Sequence, residues 1–548
     1  MRPSPRILLA IAALVLAGPL PAQRAATDHG TITIVLGREP TLPVPLLSYA
    51  SQDLDVAALL FLPLARIGRA LETTREDRFE PGLAQSWTRR DSVTLAFDLD
   101  PRAKWHDGKP VTARDVVWTL AQARDSTVAP VTALLLRRIT SVTAEGDRRV
   151  VFRFSHAYAE QMYDAVFHAP PLPSHLLAEL PFSEIPGSAY ARAPVGNGPD
   201  RWGRVETGRQ VELVADPSFF LGEPKLTRVI FLLVRNAEAQ INMVLDGTAD
   251  AFEGFLIARD IRPVMNRPEL TIRTFPSLSV GYLLFNHAAP GDGARPHPIL
   301  GDPNVRRAIA HAIDRPRLLR AVFGPYASRA EGPFGRASWV RRIAPEGPDF
   351  DAGKARRLLA ESGWRDSDGD GVLDKGGRPL RLSLNYPGTS IPRVALAEPI
   401  QGMLRRIGIQ LDLVRLDGPV WAQRRGQGQF DIDFSQASLD PTPSGLVQSW
   451  SCAGIGGTNV GRICSEAFDD ALHRAIEAAG DATEPWRTAI RTLQDQTPAV
   501  FLFSPADVVV LHRRYRQVSF RPEARWADLW RWSVDPARRL PRDEPPKP

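Results

Sequence analysis

Apolar residues recur along this chain at two spacings that alternate from one segment to the next. Ile32 and Ile34 share one face of the β-rich run Thr31 to Leu36, and Val93, Leu95, Phe97 and Leu99 alternate in the same way. Ile409, Leu411 and Leu413 repeat that period of two further on. Helical spacing takes over elsewhere. Asp302-Pro303 supplies an N-cap and a first-turn proline ahead of Val305, Ala308, Ile309, Ala312 and Ile313. Asp314 and Pro316 start the next helix, with Leu318, Leu319, Val322 and Phe323 inward. Ala237 to Leu245 is a predicted helix ending near Gly247, with Ala249 to Phe255 as the following strand. Asp351 to Ser362 is a helix stopped by Gly363. Arg393 to Arg406 is another, ended by Gly408, whose missing Cβ suits a left-handed C′ position. No fixed-period repeat runs through the chain, so the fold class is mixed α/β.

The densest local signal is Trp105-His106-Asp107-Gly108-Lys109-Pro110-Val111-Thr112-Ala113-Arg114-Asp115-Val116. Asp107-Gly108 predicts a type I′ turn, because glycine accepts positive φ. Thr112 and Asp115 form an N-capping pair ahead of Val116, Val117, Leu120 and Ala121. Alone this is a strand, a turn and a helix. As a whole string it closely resembles the W/F-H-D-G-x-P-x-T-A-x-D-V signature of the large solute-binding proteins of ABC importers, family 5, the oligopeptide/dipeptide/nickel class.

Further segments keep that family's order from Phe79 to Arg315. Phe79 to Trp87 resembles its P-x-L-A-x-S-W segment. Pro194-Val195-Gly196-Asn197-Gly198-Pro199 resembles P-V-G-T-G-P-Y, with Asn for Thr and Asp200 for Tyr. Asp216-Pro217 through Gly222 resembles N-P-x-Y-W-x-G, and Val305 through Arg315 resembles V-R-Q-A-x-x-x-A-I-D-R. The resemblance implies a two-lobed periplasmic-binding-protein fold of the large class, with an extra subdomain and a ligand cleft between the lobes. Mapped here, lobe I takes 23–275 and 504–540, lobe II takes 276–503, and Pro276 to Phe285 and Ala499 to Pro505 are candidate hinges.

Length and composition fit that expectation. A chain of 548 residues exceeds what one hydrophobic core usually supports. Met1 to Ala22 reads as a signal peptide, with Arg2 and Arg6 ahead of the apolar run Ile7 to Ala17. No later stretch is long and apolar enough to span a bilayer. No cysteine sits near the cleavage point for a lipid, so an exported, soluble, periplasmic chain is expected. The Pro-rich tail 541–548 is expected to be disordered. The net charge of +6 does not indicate a nucleic-acid partner, because 68 basic residues are scattered among 62 acidic ones.

Candidate chemistry is sparse. The ten histidines show no ligand spacing, and no G-x-S-x-G, Walker or H-E-x-x-H motif occurs. No metal, no cofactor and no enzyme activity are therefore expected. Asp366-Ser367-Asp368-Gly369-Asp370-Gly371 resembles the start of an EF-hand, but Gly377 stands where the bidentate Glu belongs. A plain turn is the expectation from Asp366 to Asp374. Cys452 and Cys464, the only cysteines, are expected to pair in an oxidising compartment.

For the ligand site, peptide-binding relatives carry W-x-x-D-x-x-D-P in the second lobe, the first Asp neutralising the peptide ammonium. The matching stretch places Phe434 at the Trp and Ala437 at the Asp; a one-residue shift places Ser438 there, and Asp440-Pro441 is retained. Neither a methyl nor a hydroxyl balances an ammonium. Glu39 is the first-lobe acid that could replace it. Tyr282 and Asn286, on the crossover strand Gly281 to Asn286, complete the candidate contacts. The implied function is a monomeric receptor that captures a peptide or peptide-like solute for an ABC permease. A secreted enzyme acting in the cleft and a sensor of the same fold remain the alternatives.

Overall fold

The computed structural model describes residues 30–48, 50–254 and 258–544, so the predicted export signal over 1–22 lies outside the described residues. The first strand is β1 (Thr31–Leu36), and all six of its residues are buried. Ile32 and Ile34 enter the main first-lobe core, while Val35 enters a second cluster on the other side. The alternation in the sequence marks one face only, because a strand covered on both sides is apolar throughout.

After α1 (Ser51–Leu60) the chain builds an antiparallel sheet from β2 (Ala84–Asp91), β3 (Thr94–Leu99), β4 (Ile139–Glu145) and β5 (Arg149–Phe154), in the order β2-β3-β5-β4. Helix α2 (Ala113–Ala123) lies between β3 and β4 in sequence, and the short α3 (Gln161–Val166) follows β5. The chain returns through β6 (Asp200–Glu206), β7 (Gln210–Ala215), β8 (Arg228–Leu233), α4 (Ala237–Leu245), β9 (Ala251–Glu253) and β10 (Leu270–Pro276). It then crosses to β11 (Ser279–Phe285), α5 (Pro303–Ala312), α6 (Arg315–Phe323), β12 (Ala327–Arg329) and α7 (Ala352–Glu361). The second lobe continues with β13 (Arg381–Pro387), α8 (Ile391–Arg405), β14 (Gln410–Leu416), α9 (Gly418–Gly426) and β15 (Ile432–Ser438). Helices α10 (Glu466–Ile476) and α11 (Thr483–Gln496) lead into β16 (Ala499–His512).

The long strands form a 12-stranded sheet in the order β14-β13-β15-β11-β16-β9-β1-β8-β7-β6, with β10 and β12 also paired to β16. In the first lobe β9, β1 and β8 run parallel; in the second, β14, β13 and β15 do. The helix starts match their sequence signals. Asp302 accepts from Asn304 N at 2.8 Å and Asp314 from Arg317 N at 3.0 Å.

The Trp105 string is a structural knot. Buried Asp115 accepts from Thr112 N at 2.8 Å, Ser174 N at 2.9 Å and Trp105 Nε1 at 3.2 Å. His106 holds the Pro194 to Pro199 segment: Gly196 N donates to its Nδ1 at 3.1 Å, and His106 N donates to Gly196 O at 2.8 Å. A Cβ on Gly196 or Gly198 would collide with the carbonyl oxygens of Leu60 and Leu59, so this segment needs glycine. The turn is not the type I′ expected from Asp107-Gly108. Only Gly108 has positive φ, at 89°, and Gly108 N bonds Trp105 O, which puts Asp107 at the third position of an ordinary turn. Asp107 is held there by bonds to Lys109 N and His175 Nε2.

The expected disorder from Pro541 is corrected for its first residues. Asp543 is 4 % exposed and accepts from Thr31 N at 2.8 Å and from Arg514 at 2.5 Å, which fixes the turn Pro541–Asp543 against β1. Arg514 in turn donates to Asp250 at 2.9 Å and Thr31 O at 2.6 Å. Buried charges persist when paired in this way.

Asp200, at the start of β6, has no such partner. It is 2 % exposed, its Oδ2 has no hydrogen bond, and burial followed by the nearby Asp216 pushes its carboxyl up to about 7. A carboxyl raised in the folded state above its unfolded value of 3.8 contributes stability below that value and loses it as pH rises through about 7. The contribution of this group should therefore lower the thermal melt as pH rises from about 4 to about 7 and level off above that. Asp200→Asn should flatten that fall and be the more stable form at pH 8; an unchanged slope excludes this assignment.

Candidate functional site

Two segments cross between the lobes side by side. β16 pairs with β11 through Ala499 to Phe503 and with β10 through Ala506 to His512, so one strand belongs to both halves of the sheet. The other crossing is the Ser277-Leu278 link between β10 and β11. Polar side chains satisfy the interrupted pairing: Ser504 Oγ donates to Ser279 O at 3.0 Å and accepts from Arg336 N at 2.8 Å. Gly335 packs so tightly on Ser277 and Leu278 that a Cβ would overlap their backbone.

The carboxyl ends of the parallel strands in each lobe lie at loops where open α/β sheets bind ligands. In the first lobe this edge carries Asp55, Glu253 and Asp507 around Arg525. Arg525 Nη1 is 3.0 Å from Asp55 and 2.5 Å from Glu253, and Asp507 is hydrogen-bonded by Ser277 at the crossing. Burial, the largest influence on each, pushes all three carboxyls upward. In the second lobe the edge carries Arg393 on α8, Trp421 and Arg425 on α9, and Asp433 and Ser435 on β15. Asp433 is fully buried and accepts from Trp421 Nε1 at 2.7 Å and Arg425 Nε at 3.3 Å. The Arg393 and Arg425 guanidinium carbons lie 5.0 and 5.8 Å from the Trp421 ring centre.

The residues singled out from sequence are dispersed. Glu39 is half-buried just after β1, where its Oε1 accepts from Gly208 N at 3.0 Å in the β6–β7 hairpin. Tyr282 packs against Trp450 and Phe501, with ring centres 5.4 and 6.0 Å away, and burial pushes its hydroxyl upward. Asn286 is 1 % exposed and donates to Gly428 O and Phe430 O, each at 3.0 Å. Phe434 is wholly buried in the core on the opposite face of β15 from Asp433 and Ser435, as the alternation of a strand requires. Ala437 is half-buried beside the Tyr282 cluster, and Ser438 and Asp440 are exposed at the carboxyl end of β15. The cluster around Trp421 was missed because its members come from three elements and share no motif. The available signal was a pair of arginines on the helices that follow β13 and β14.

Beyond the crossings, the small subdomain meets the second lobe. Glu160 accepts from Thr73 of its own subdomain and from Thr442 Oγ1 (2.8 Å) and Ser444 Oγ of the other lobe. Trp339 Nε1 donates to Thr73 at 3.0 Å, Arg138 meets Glu477 at 3.0 Å, and Ala159 N donates to Ala478 O at 2.9 Å. An open groove of about 880 Å³ follows this seam past Glu72, Tyr158 and Asp481. Cys452 and Cys464 are joined by a disulfide in the second lobe. Asp366, Asp368 and Asp370 place carboxylate oxygens within 4.8 Å of one another, and Asp366 accepts from Gly369 N and Gly371 N as a turn-forming side chain does.

The sequence profile of the bacterial extracellular solute-binding proteins, family 5, middle region, matches residues 78–457. The oligopeptide-binding protein AppA of Bacillus subtilis is 26% identical over 400 residues, covering 72% of this chain and 70% of its own. A putative ABC transporter peptide-binding protein of Brucella ovis is 27% identical over 490 residues, covering 86% and 87%. Among solved structures, AppA with a nonapeptide superposes with a TM-score of 0.74 at 22% identity, over 92% of this chain and 99% of that one. CtaP of Listeria monocytogenes reaches 0.80 at 22% identity, over 93% and 100%, so the two-lobed fold is shared.

Two outcomes test the interlobe and disulfide contacts. Thr442→Val with Ser444→Ala leaves buried Glu160 with one hydroxyl donor, a loss of about 1–3 kcal/mol from this contact between the lobes. Small-angle scattering should then give a larger radius of gyration than the native protein; an identical value shows that the contact does not hold the lobes together. Reducing the disulfide should lower unfolding stability by about 3 kcal/mol in the chain-entropy account, and the unreduced denatured protein should show no titratable thiol.

Proposed function

This chain belongs to the bacterial extracellular solute-binding proteins, family 5, and from that membership we propose that it is the receptor of an ABC importer for a peptide or peptide-like solute. The ligand is held between 23–275 with 504–540 on one side and 276–503 on the other, and the closed form is what a membrane permease engages. The observation that carries the reading is the double crossing at Ser277-Leu278 and Ser504-Pro505, where two α/β lobes share one strand. Rotation about so few residues closes two rigid lobes on a solute. The names of AppA and the Brucella protein support peptide as the class of cargo. No helix among the described residues is long and apolar enough to cross a membrane, which fits a receptor acting outside the bilayer.

Within this reading the carboxyl end of β15, with Ala437, Ser438 and Asp440, faces the ligand, and Glu39 and Tyr282 act from the rim and from behind the wall. Catalysis has no part in the cycle: the ligand leaves as it entered.

Mass spectrometry of what co-purifies with the native protein should find peptides or close analogues. Returned at a hundred times its dissociation constant, such a ligand should stabilise the protein by about 2.7 kcal/mol in a thermal melt. It should be recovered intact after prolonged incubation. Shortened peptides would transfer the protein to the enzyme reading, and stabilisation by non-peptide solutes alone would remove peptides as the cargo.

A further inference from the structure

Among the described residues, Arg306, Arg315 and Arg393 are all buried in the second lobe without an ion pair, but Arg306 and Arg315 donate to backbone carbonyls, whereas Arg393 leaves a buried nitrogen unpartnered. Arg393 sits in the first turn of α8, directly after the carboxyl end of β13, and is 9 % exposed. Its Nε is sealed from water with no hydrogen-bond partner, and among the described residues no carboxylate comes within ion-pair reach of it. Its neighbour Arg425 is different, being 3.3 Å from Asp433. That single carboxylate is already committed to Arg425, Trp421 Nε1 and Ser435 Oγ. Two guanidinium groups thus flank one indole ring with one negative charge between them.

An arginine stays protonated even when burial works against it, and here burial is the largest influence lowering its proton affinity. A buried charge without a direct ion pair costs several kcal/mol, and the field of Asp433 that favours Arg393 is shared with Arg425, so the site is suited to a ligand that brings an anion. The surroundings specify more. The guanidinium carbon lies 5.0 Å from the Trp421 ring centre, a cation–π contact that positions it, and its two terminal nitrogens, unlike the sealed Nε, are those left to take a bidentate oxyanion. Ile391 and Val420, at the starts of the two helices that carry Arg393 and Trp421, are 41 % and 42 % exposed and supply free apolar surface at that end of the lobe. Across the crossings, the first-lobe edge carries three carboxylates around Arg525.

We propose that Arg393, positioned by Trp421, is the anion-binding group of the cleft, and that the solute carries a carboxylate or other oxyanion next to an apolar portion. The inference rests on the receptor reading above and adds the polarity of its cargo: the negative end lies on the second lobe, and any positive end lies toward Asp55, Glu253 and Asp507.

The test uses the full mature protein, native and as Arg393→Met, in thermal melts and calorimetry. The probes are a mixture of tri- to pentapeptides as free acids, the same mixture with amidated C-termini, succinate and inorganic phosphate. Without any probe, Arg393→Met should melt a few degrees higher than the native protein, because an unpaired buried cation has gone. A lower melt means the guanidinium is part of the fold's own support and overturns the proposal. Arg425→Gln is the contrasting control and should melt lower, since it removes the ion-pair partner of buried Asp433. The free acids should bind native protein at least tenfold more tightly than the amides, and Arg393→Met should lose that preference. Succinate and phosphate distinguish carboxylate from phosphate as the oxyanion. If peptides fail in both forms while either anion stabilises native protein alone, the peptide reading falls and the anion site stands. If no anionic probe separates native protein from Arg393→Met, the anion site falls.

Discussion

The antiparallel hydrogen bonding of β16 to β11 on one side of Ser504 and to β10 on the other is the interaction on which the remaining architecture depends. It makes one strand the spine of two lobes. Backbone polar groups that leave a sheet inside a protein need new partners, and few are available where two sheets diverge. The chain meets that demand with Ser504 and Ser277 and with prolines at 276 and 505, which have no N–H to satisfy. The bend is thereby confined to a handful of residues while both lobes stay stiff.

The distribution of buried charge follows the same division. Far from the cleft, Arg514 is surrounded by Asp250, Asp543 and the carbonyl of Thr31, a fully compensated cluster that fastens the outer side of the first lobe. At the cleft edges compensation fails in opposite directions, with acids in excess around Arg525 and a guanidinium in excess at Arg393. The excesses at Arg525 and Arg393 stand at the carboxyl ends of the parallel strands, whereas the unpartnered carboxyl of Asp200 lies in the scaffold and is accommodated by its raised proton affinity.

The sequence made the scaffold legible and the site largely illegible, for physical reasons. The caps at Asp302 and Asp314 and the Thr112–Asp115 pair are local devices, and the Gly196 to Pro199 segment, though its partners are distant, shows itself because only glycine fits its close approach. Their spacing is therefore visible in one dimension. These same segments are structural, so they identified the family without touching the cleft. Arg393, Trp421, Arg425 and Asp433 meet only when three elements pack, and no spacing announces them. The strand from Ile432 to Ser438 explains the mixed outcome there. Its alternation sends Phe434 into the core and Asp433 and Ser435 to the other face, while Ser438, on the face of Phe434, is exposed because it stands at the end of the strand, a distinction that aligning a motif does not make. The turn at Asp107 shows the converse, where a correct turn carried the wrong type because the closing bond runs from Gly108 N to Trp105 O, one residue earlier than the Asp-Gly pair suggests.

The clasp between Asp543 and Thr31 also sets an order of events in folding. The edges of β1 are completed by β8 and β9, but its first amide is satisfied only by a carboxylate 512 residues further on. The second lobe closes on itself over a much shorter stretch and waits only for the first half of β16. A chain emerging from its N-terminus therefore presents an unfinished first lobe until nearly the last residues are free, and contacts so distant in sequence form slowly. The second lobe is the unit that can assemble first and template the spine. The first lobe, though it comes first in the chain, is the last to be finished.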